Sequence, residues 1–290
     1  TDAIFRSVKD NFISPLIAAF KIEAINQDST ALVIKVNDIY DGTETSINNV
    51  FTNINLGTSA IKNLSRILSI KSFPNNVVAT SELTTKVTEG TTSVYVTVEV
   101  SSSILLLPEK PMTGRFDNQK VGYFTNPLLS FSDAQQGTDK KQYITRWRME
   151  PKPEDREAYL KGQTVEPIKP IVFYIDNSTP YQWRSYIKKG IEDWQTAFEK
   201  AGFKNAIIAK EITDSMHVDM DDVNYSVLTY AASEKKNAMG PSLLDPRSGE
   251  ILEADIMWWH NVLSMVREWI TVQTGTVCPI SYTHLRAHET

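Results

Sequence analysis

The stretch Pro170-Ile-Val-Phe-Tyr-Ile-Asp176 decides the class of fold, because it is a short apolar run without polar alternation. Such a run is typical of a strand that is covered on both faces in a parallel sheet. The next residues predict a helix, since Thr179-Pro-Tyr-Gln182 combines an N-cap Thr179, a proline at the first helical position and Gln182 three residues after the cap. This combination is a capping box. We therefore predict a sheet strand that leads directly into a helix.

The predicted helix has one apolar face and a defined end. Its apolar residues recur at helical spacing and form a single stripe, which is typical of a helix that packs on a core. The stripe consists of Trp183, Ile187, Ile191, Trp194 and Phe198. Gly202 follows, and glycine is the usual residue where a helix ends in a left-handed conformation. We expect one long helix that ends at Gly202.

Further strands are predicted towards the C-terminus. The segments 206–209 and 225–230 have strand composition, and the segments 238–244 and 250–258 flank Asp245-Pro-Arg-Ser-Gly249. Asp-Pro and Ser-Gly dipeptides favour a tight reversal of the chain. Helical periodicity returns over 259–273. This order predicts a mixed sheet in which 238–244 is the antiparallel strand.

Strand patterns dominate residues 1–131. Ser93-Val-Tyr-Val-Thr-Val-Glu-Val100 alternates strictly, so its valines share one face and its polar residues share the other. The β-prone segments 20–25 and 31–36 flank Asn26-Gln-Asp-Ser29, which suits a hairpin turn. We predict an antiparallel barrel or sandwich, with only a weak helical pattern at 58–68.

The composition changes between 132 and 167, where charge, Gln and Pro replace the strand pattern. Pro151 and Pro153 preclude a regular helix or a central strand there. We therefore expect four parts in the chain: a β-rich domain at 1–131, a connector at 132–167, a second domain at 168–277 and a tail at 278–290. The overall class is α+β.

Composition and charge exclude several kinds of partner. The chain has 290 residues, 41% of them hydrophobic, and a formal net charge of -5. An acidic chain gives no electrostatic reason to expect nucleic acid as a partner. A membrane span is not expected either, since no run of about 18 apolar residues occurs. The single Cys278 excludes an internal disulfide framework and a multi-cysteine metal site.

Three motifs, in the order of elements described above, resemble the catalytic domain of bacterial zinc-dependent metalloproteases of the metzincin type. The motifs are Ile175-Asp-Asn-Ser-Thr-Pro-Tyr-Gln-Trp183, Trp194-Gln-Thr-Ala-Phe-Glu-Lys-Ala-Gly-Phe203 and Gly240-Pro-Ser-Leu-Leu-Asp-Pro-Arg-Ser-Gly-Glu250. Upstream segments are similar to the β-rich domain that precedes the peptidase in the same proteins. These segments are Pro111-Met-Thr-Gly-Arg115, Val121-Gly-Tyr-Phe124 and Ile144-Thr-Arg-Trp-Arg148.

The resemblance implies a fold, an activity and a cofactor. The fold is an antiparallel β barrel or sandwich followed by the mixed-sheet upper half of a metzincin-like catalytic domain. The activity is hydrolysis of peptide bonds by a zinc-activated water, with zinc held by an HExxHxxGxxH motif. In the family that motif lies beyond the helix that we predict at 259–273, and this sequence lacks it. We therefore expect zinc in the parent protein, no catalytic zinc in this fragment, and no catalytic residue within it.

One pair of histidines in this sequence has the spacing of the zinc-binding helix but lacks the other residues that its chemistry requires. His284 and His288 are four residues apart, yet Leu285 stands where the general-base Glu is needed, and no third ligand follows. The segment 281–290 looks like the translated adapter sequence found at the ends of fragmentary metagenomic proteins. We expect residues 278–290 to be a foreign tail.

Three other groups are weaker candidates for a site. The segment His217-Val-Asp-Met-Asp-Asp222 carries carboxylates at alternate positions, as a calcium loop does, but lacks the Gly and bidentate Glu of an EF-hand. His260 is more simply explained as a packed or capping residue than as a ligand. Five tryptophans are better explained as core than as a sugar-binding platform. They are Trp183, Trp194, Trp258, Trp259 and Trp269.

The segment 238–244 is the strongest candidate for binding. The resemblance implies that this antiparallel edge strand pairs with an extended peptide or protein substrate through main-chain hydrogen bonds. Met239, Gly240 and Ser242 would then border the cleft. The alternative is an ordinary sheet edge guarded by Pro241.

The expected parent protein is an exported zinc endopeptidase, located in the periplasm or at the cell surface. A non-catalytic surface binding or scaffold protein with a peptidase-like sheet is an alternative from another class. A carbohydrate-binding β module in residues 1–131 is a third.

Overall fold

The computed structural model describes residues 3–12, 16–54, 56, 59–134, 137–213 and 215–275. The chain forms two compact units. Unit 1 comprises Thr1–Leu107 and Leu129–Lys141, and unit 2 comprises Pro108–Leu128 and Gln142–Thr290. This division differs from the four parts expected from composition, which remain a prediction.

Unit 1 contains three short helices and a set of strands. Its helices are α1 (Ala3–Asn11), α2 (Asn37–Tyr40) and α3 (Val50–Asn53). Its strands are β1 (Ile22–Ile25), β2 (Leu32–Ile34), β3 (Arg66–Ser72), β4 (Asn76–Glu89) and β5 (Thr92–Leu105). The chain passes between the units along two further strands, β6 (Thr125–Ser130) and β7 (Asp139–Ile144), which pair with each other.

The alternating pattern of β5 confirms the prediction of a half-buried strand with one wet side over 96–100. Val96, Val98 and Val100 are half-buried, and Thr97 and Glu99 are exposed. Val94, which the pattern places on the apolar face, is exposed as well. The strand pairs with β4 along its whole length. Period-two alternation therefore identified the strand and its faces correctly.

The hairpin around Asn26 is also confirmed. β1 pairs antiparallel with β2, and Asn26 Oδ1 accepts hydrogen bonds from Thr30 N–H and Ala31 N–H, both at 2.9 Å. Ser29 has a φ of 54°, the left-handed conformation that such a reversal requires.

The barrel or sandwich is confirmed only as antiparallel β structure. β3, β4 and β5 form a three-stranded sheet in that order, so the sheet is not closed within the described residues. The helical prediction at 58–68 is wrong, and the three helices α1, α2 and α3 were not predicted. The described part of this segment, 59–68, contains only a 3-10 turn at Lys62–Leu64 and the start of β3. Pairing of β3 with β4, including an Arg66–Glu82 ion pair at 3.3 Å, outweighs the weak local preference of 58–68 for helix.

Unit 2 contains the mixed sheet. A 3-10 turn (Pro153–Asp155) and α4 (Arg156–Leu160) precede it. Its strands are β8 (Ile171–Ile175), β9 (Ile207–Glu211), β10 (Ser226–Ala231), β11 (Ala238–Met239), β12 (Ser242–Asp245), β13 (Glu250–Ala254) and β14 (Ile256–Trp259). Its longer helices are α5 (Tyr181–Glu192), α6 (Gln195–Lys200) and α7 (Val262–Gly275).

Five strands form the mixed sheet in the order β11-β14-β10-β8-β9. β8, β9, β10 and β14 are parallel, and β11 is antiparallel to β14. The predicted mixed sheet with an antiparallel strand is thus confirmed. Ile171, Phe173 and Ile175 of β8 are buried, whereas Val172 and Tyr174 are half-buried, so one face is covered better than the other.

The first helix of unit 2 packs as predicted but starts and continues differently. Ile187 and Ile191 of α5 are buried against β8 and β10, with Trp183 and Phe198 packed beside them. The predicted capping box is wrong: Pro180 is the N-cap, and the buried Thr179 hydroxyl has no hydrogen-bond partner in the described part of the chain. Arg184 Nε instead donates to Thr179 O at 2.9 Å.

The single long helix is also wrong, because α5 ends at Glu192 and α6 begins at Gln195. Asp193 N–H still donates to Lys189 O, but Trp194 N–H reaches Ile191 O rather than the carbonyl four residues back. Trp194 is 65% exposed. The predicted end at Gly202 is confirmed, with φ at +93° and a Schellman pair of bonds from Gly202 N–H to Glu199 O and from Phe203 N–H to Phe198 O.

The two predicted strands at 238–244 and 250–258 are each divided in two. The first consists of β11 and β12, and the second of β13 and β14. The division falls at Gly240 and Pro241 on one side and at Asp255 on the other. Pro241 has no N–H to donate, so the ladder is interrupted there.

The last predicted helix begins three residues late, because Trp259 still pairs with Ala231 in the parallel sheet. Only Val262 at its start is buried, and several apolar residues are exposed. These are Leu263, Val266, Trp269, Ile270 and Val272. None of the helices in the described ranges is long and apolar enough to cross a membrane.

Gly249 is required at the β12–β13 turn. Its φ is +74°, and a Cβ there would lie 2.6 Å from Ile144 O.

We expect Gly249→Ala to lower the free energy of unfolding by about 2 kcal/mol or more, from backbone strain and the clash with a carbonyl. Gly190→Ala is the matched control, since nothing lies within 4 Å of its Cβ position in α5. It should raise stability by about 0.5–1 kcal/mol. Urea unfolding of both variants tests this, and equal midpoints would contradict it.

Candidate functional site

The segment 238–245 runs antiparallel to 250–259 as one arm with a gap. Ala238 and Met239 pair with Trp258 and Met257, and Ser242 pairs with Ala254. Two residues lie between Met239 and Ser242, and two lie between Ala254 and Met257, so the register is the same on both sides of the gap. The gap is therefore a local break at Pro241 and not a change of direction.

The outer side of β11 is a free sheet edge in the described part of the chain. β14 pairs with one side of β11, and no described strand pairs with the other. Ala238 N–H does not enter the ladder and donates to Asn237 Oδ1 at 2.8 Å. Met239 is 52% exposed. An edge of this kind presents main-chain groups to which an extended peptide can bind.

The three predicted site residues lie along the arm but in different sheets. Met239 belongs to β11, and the exposed Ser242 belongs to β12. Gly240 connects them and is not required by packing, since the nearest atom to its Cβ position is Asp255 O at 3.8 Å. Pro241 O accepts a hydrogen bond from Asp255 N–H at 3.0 Å, which keeps the arm closed across the gap. Their assignment to peptide binding stays a prediction.

An ion pair between the buried Asp245 and the exposed Arg247 fixes the tip of the arm. Asp245 is completely buried and accepts hydrogen bonds from Arg247 Nε at 2.9 Å and Nη2 at 2.7 Å. Arg247 also donates to Pro108 O at 2.6 Å. These bonds lower the pKa of Asp245. Its ionised form stabilises the fold above the ordinary pKa range of Asp, and that stabilisation is lost as the pH falls through the lowered pKa.

A second ion pair anchors β13. Arg148 donates to Glu250 from Nε at 2.8 Å and from Nη2 at 2.6 Å, and it also reaches Lys110 O at 2.9 Å. The hydrogen bond to Glu250 raises the pKa of Arg148. Sequence reasoning missed both ion pairs. The available signal was the acidic Asp245 and Glu250 at the two ends of a turn that also carries Arg247.

A third acidic group lies where β13 meets β14. Glu253 is 8% exposed, and burial, followed by its hydrogen bond to Asp255, raises its pKa to about 8. Asp255 Oδ1 accepts the Val227 N–H of β10 at 2.8 Å. Nothing in the sequence pattern distinguished Glu253 from the exposed acidic residues.

The described residues do not fit a zinc site. They contain no group of three or more His, Cys, Asp or Glu side chains that could hold a metal ion. Nδ1 of His260 lies 2.7 Å from the hydroxyl of Tyr230, and in the 217–222 segment Asp219 and Asp222 accept hydrogen bonds from nearby backbone N–H groups. Cys278, His284 and His288 lie outside the described residues.

An apolar cavity of about 800 Å³ lies on one face of the mixed sheet. Residues of α5, α6 and the sheet line it, with Leu263 of α7 and four tryptophans. These are Trp147, Trp183, Trp194 and Trp258. The prediction of core tryptophans is thus right for Trp183, Trp258 and Trp259 and wrong for the exposed Trp194 and Trp269.

Comparison with known families gives one match. The model of a family described as "Domain of unknown function (DUF5117)" matches residues 1–152, more than half of the chain. The chain belongs to this family. The DUF5117 match covers unit 1 and the start of unit 2, and it ends before β8. The β11 arm and the apolar cavity's sheet and helix residues therefore lie outside the matched region.

No curated protein and no solved structure matches the chain. The function of this DUF5117 protein is thus argued from its own residues.

The Arg148–Glu250 pair supplies a test of what holds the arm. Glu250→Ala leaves Arg148 without its carboxylate, and we expect it to lower the free energy of unfolding by about 2 kcal/mol, since the partly exposed Arg148 regains some hydration. Glu157→Ala breaks an exposed ion pair between Glu157 and Lys161 in α4 and should cause no measurable change. Thermal unfolding monitored by circular dichroism compares the two. An equal loss of stability in both variants would contradict a structural role for the buried pair.

Proposed function

We propose that this chain is part of an exported zinc-dependent metalloendopeptidase, in which it forms the leading domain and the non-catalytic half of the peptidase domain. The observation that carries the proposal is the free edge of β11. It lies antiparallel to β14 at the side of an otherwise parallel sheet, in a region that the three motifs assign to a metzincin-like domain.

The order of elements in unit 2 supports this proposal. Strand β8 is followed by a helical segment, by β9 and β10, by the antiparallel β11, by β14 and by α7. This is the order that the resemblance implies. The strands β12 and β13 form the outer part of the arm. They lie between β11 and β14 in the sequence and do not alter the order of the other elements.

The apolar cavity provides independent support. The cavity has a volume of about 800 Å³ and is lined by tryptophans and aliphatic side chains. An apolar element of the parent protein could be buried in it against the sheet. In the proposal, the helix that carries the zinc motif follows α7 in the parent protein. The exposed apolar residues of α7 are consistent with further packing in that region.

The residues of this chain would bind and orient the substrate. Main-chain groups of β11 would pair with an extended peptide, with Met239 beside it and Gly240 and Ser242 at the gap that follows. Such pairing depends on backbone groups and is indifferent to most substrate side chains. Zinc ligands are absent from the described residues, so no step of the reaction is assigned to them.

A non-catalytic surface binding protein is the second candidate, because the same free edge of β11 could bind a peptide without hydrolysing it. The carbohydrate-binding alternative has no comparable observation in its favour and stays a prediction.

The purified chain should not hydrolyse protein substrates. With fluorescent casein as the substrate and Zn²⁺ added, we expect no hydrolysis above the buffer control, because this sequence lacks the zinc motif. Hydrolysis that EDTA abolishes would contradict the proposal, since it would require a zinc site within this chain.

Edge binding is tested at Ala238. Ala238→Pro removes the N–H that the β11–β14 ladder does not use and that a bound peptide would take over from Asn237 Oδ1, whereas Ala238→Val keeps it and serves as the control. For a fluorescein-labelled extended peptide from casein, we expect Ala238→Pro to raise the Kd about tenfold, the worth of one main-chain hydrogen bond. Fluorescence anisotropy measures the Kd, with circular dichroism to confirm folding. Equal binding by both variants would exclude β11 as the peptide site.

A further inference from the structure

Three methionines line one face of the mixed sheet near its free edge. Met239 of β11 lies directly opposite Met257 of β14, and Met257 is in register with Thr229 of β10. The Thr229 hydroxyl donates a hydrogen bond to Sδ of Met220 at 3.8 Å. Residues that lie opposite one another on paired strands share a face of the sheet. Met220, Met257 and Met239 therefore form a row from β10 to the free edge, which we call the methionine row.

The methionine row is open to solvent. Met239 is 52% exposed, Met257 39% and Met220 54%. The row is separate from the apolar cavity, because Trp258 lines the cavity and follows Met257 in β14, and successive residues of a strand point to opposite faces. Neighbouring exposed apolar side chains are typical of a binding surface. The side chain of a bound peptide can therefore reach the row.

The register of β11 fixes which residue of a bound peptide would reach the row. Successive residues of an antiparallel ladder direct their main-chain groups to opposite sides. Ala238 N–H does not enter the ladder with β14, so the outward main-chain groups are those of Ala238. A peptide residue opposite Ala238 would exchange hydrogen bonds with it, and the next peptide residue would lie opposite Met239 in a non-hydrogen-bonded pair. Side chains approach most closely in such a pair, so this peptide side chain lies against the methionine row.

Methionine suits the recognition of apolar side chains of several shapes. Its side chain is unbranched and flexible, and its thioether is polarizable, so it adapts to the apolar group that packs on it. A polar uncharged side chain such as that of Asn would lose water on this surface, where the thioether sulfur is only a weak acceptor. The row therefore favours an apolar side chain over a polar one of the same size.

We propose that the methionine row is the specificity site of the β11 edge and binds an apolar side chain at the peptide residue opposite Met239. This site depends on the peptide binding at β11 proposed above, and it defines a substrate class: extended peptides with a large apolar residue at one position. Main-chain pairing with Ala238 would hold any extended peptide, and the row would select among such peptides.

A host peptide with one guest residue tests this selection. The host is a fluorescein-labelled extended peptide of Thr and Ser with a terminal Lys for solubility, and the guest is either Leu or its near isostere Asn. Because β11 has only two residues, the peptide can shift along it until the guest lies opposite Met239. We expect the Leu peptide to bind the purified chain with a Kd about tenfold lower than that of the Asn peptide. Fluorescence anisotropy measures both values.

Three variants assign the preference to the row. Met239→Ser should raise the Kd of the Leu peptide by about three- to tenfold and leave that of the Asn peptide unchanged, because main-chain bonding is kept. Met239→Leu restores an apolar side chain and should keep the preference for the Leu peptide. Leu160→Ser removes an apolar side chain of α4 that is 76% exposed, and it is the matched control, with no expected change in either Kd. Circular dichroism confirms that each variant is folded.

The outcomes distinguish the specificity site from the edge itself. Equal Kd values for the two peptides in the wild-type chain, or an equal loss of both in Met239→Ser, would overturn the methionine row as a specificity site and leave edge binding in place. Binding of neither peptide would overturn the edge binding and the row together. A dimer in sedimentation velocity that Met239→Ser dissociates would assign the row to a second copy of this chain and would also overturn the proposal.

Discussion

The hydrogen bonding of β10 is the constraint on which unit 2 depends. This strand lies at the centre of the mixed sheet, with Val227 and Leu228 almost completely buried, so its main-chain groups have no access to water. They need a partner strand on each side, and the parallel strands β8 and β14 provide them. On the far side of β8 the sheet ends in the parallel edge strand β9, and on the far side of β14 it ends in the antiparallel edge strand β11.

The functional proposal follows from how that last strand is held. β11 has only two residues, and Pro241 removes the N–H that would continue its ladder. The arm is kept in register across the gap by Asp255. At its tip it is held by two ion pairs whose carboxylates are buried, Asp245–Arg247 and Arg148–Glu250. A rigid tip and a short, weakly held edge strand suit a surface that receives an extended peptide.

Periodicity and turn composition predicted much of the fold. The faces of β5, the hairpin around Asn26, the mixed sheet and the Gly202 helix end all depend on local pattern, and all are confirmed. The predictions that are wrong depend on tertiary partners. Thr179 has the composition of an N-cap, yet the helix begins two residues later. Trp194 fits the apolar stripe, but it lies at the break between α5 and α6 and is largely exposed.

The candidate site, too, could be predicted from the sequence only in part. The edge strand and its proline could be located from sequence, because reversal signals and apolar runs mark the arm. The acidic residues that hold it could not be distinguished, since the burial of Glu253 and Glu250 depends on strands that are distant in sequence. The chain's membership of a family of unknown function adds no chemistry to the arm, which lies outside the matched residues. In the proposal the zinc motif belongs to the parent protein, so the contacts within this chain do not test it.

The most direct measurement of the central claim is long-read sequencing of the source locus through the codon for Val277. The account predicts an open reading frame that continues from α7 into an HExxHxxGxxH motif, with residues 278–290 replaced by a different sequence. A natural stop codon directly after Thr290 would contradict a zinc peptidase and would leave a non-catalytic binding protein with a free β11 edge.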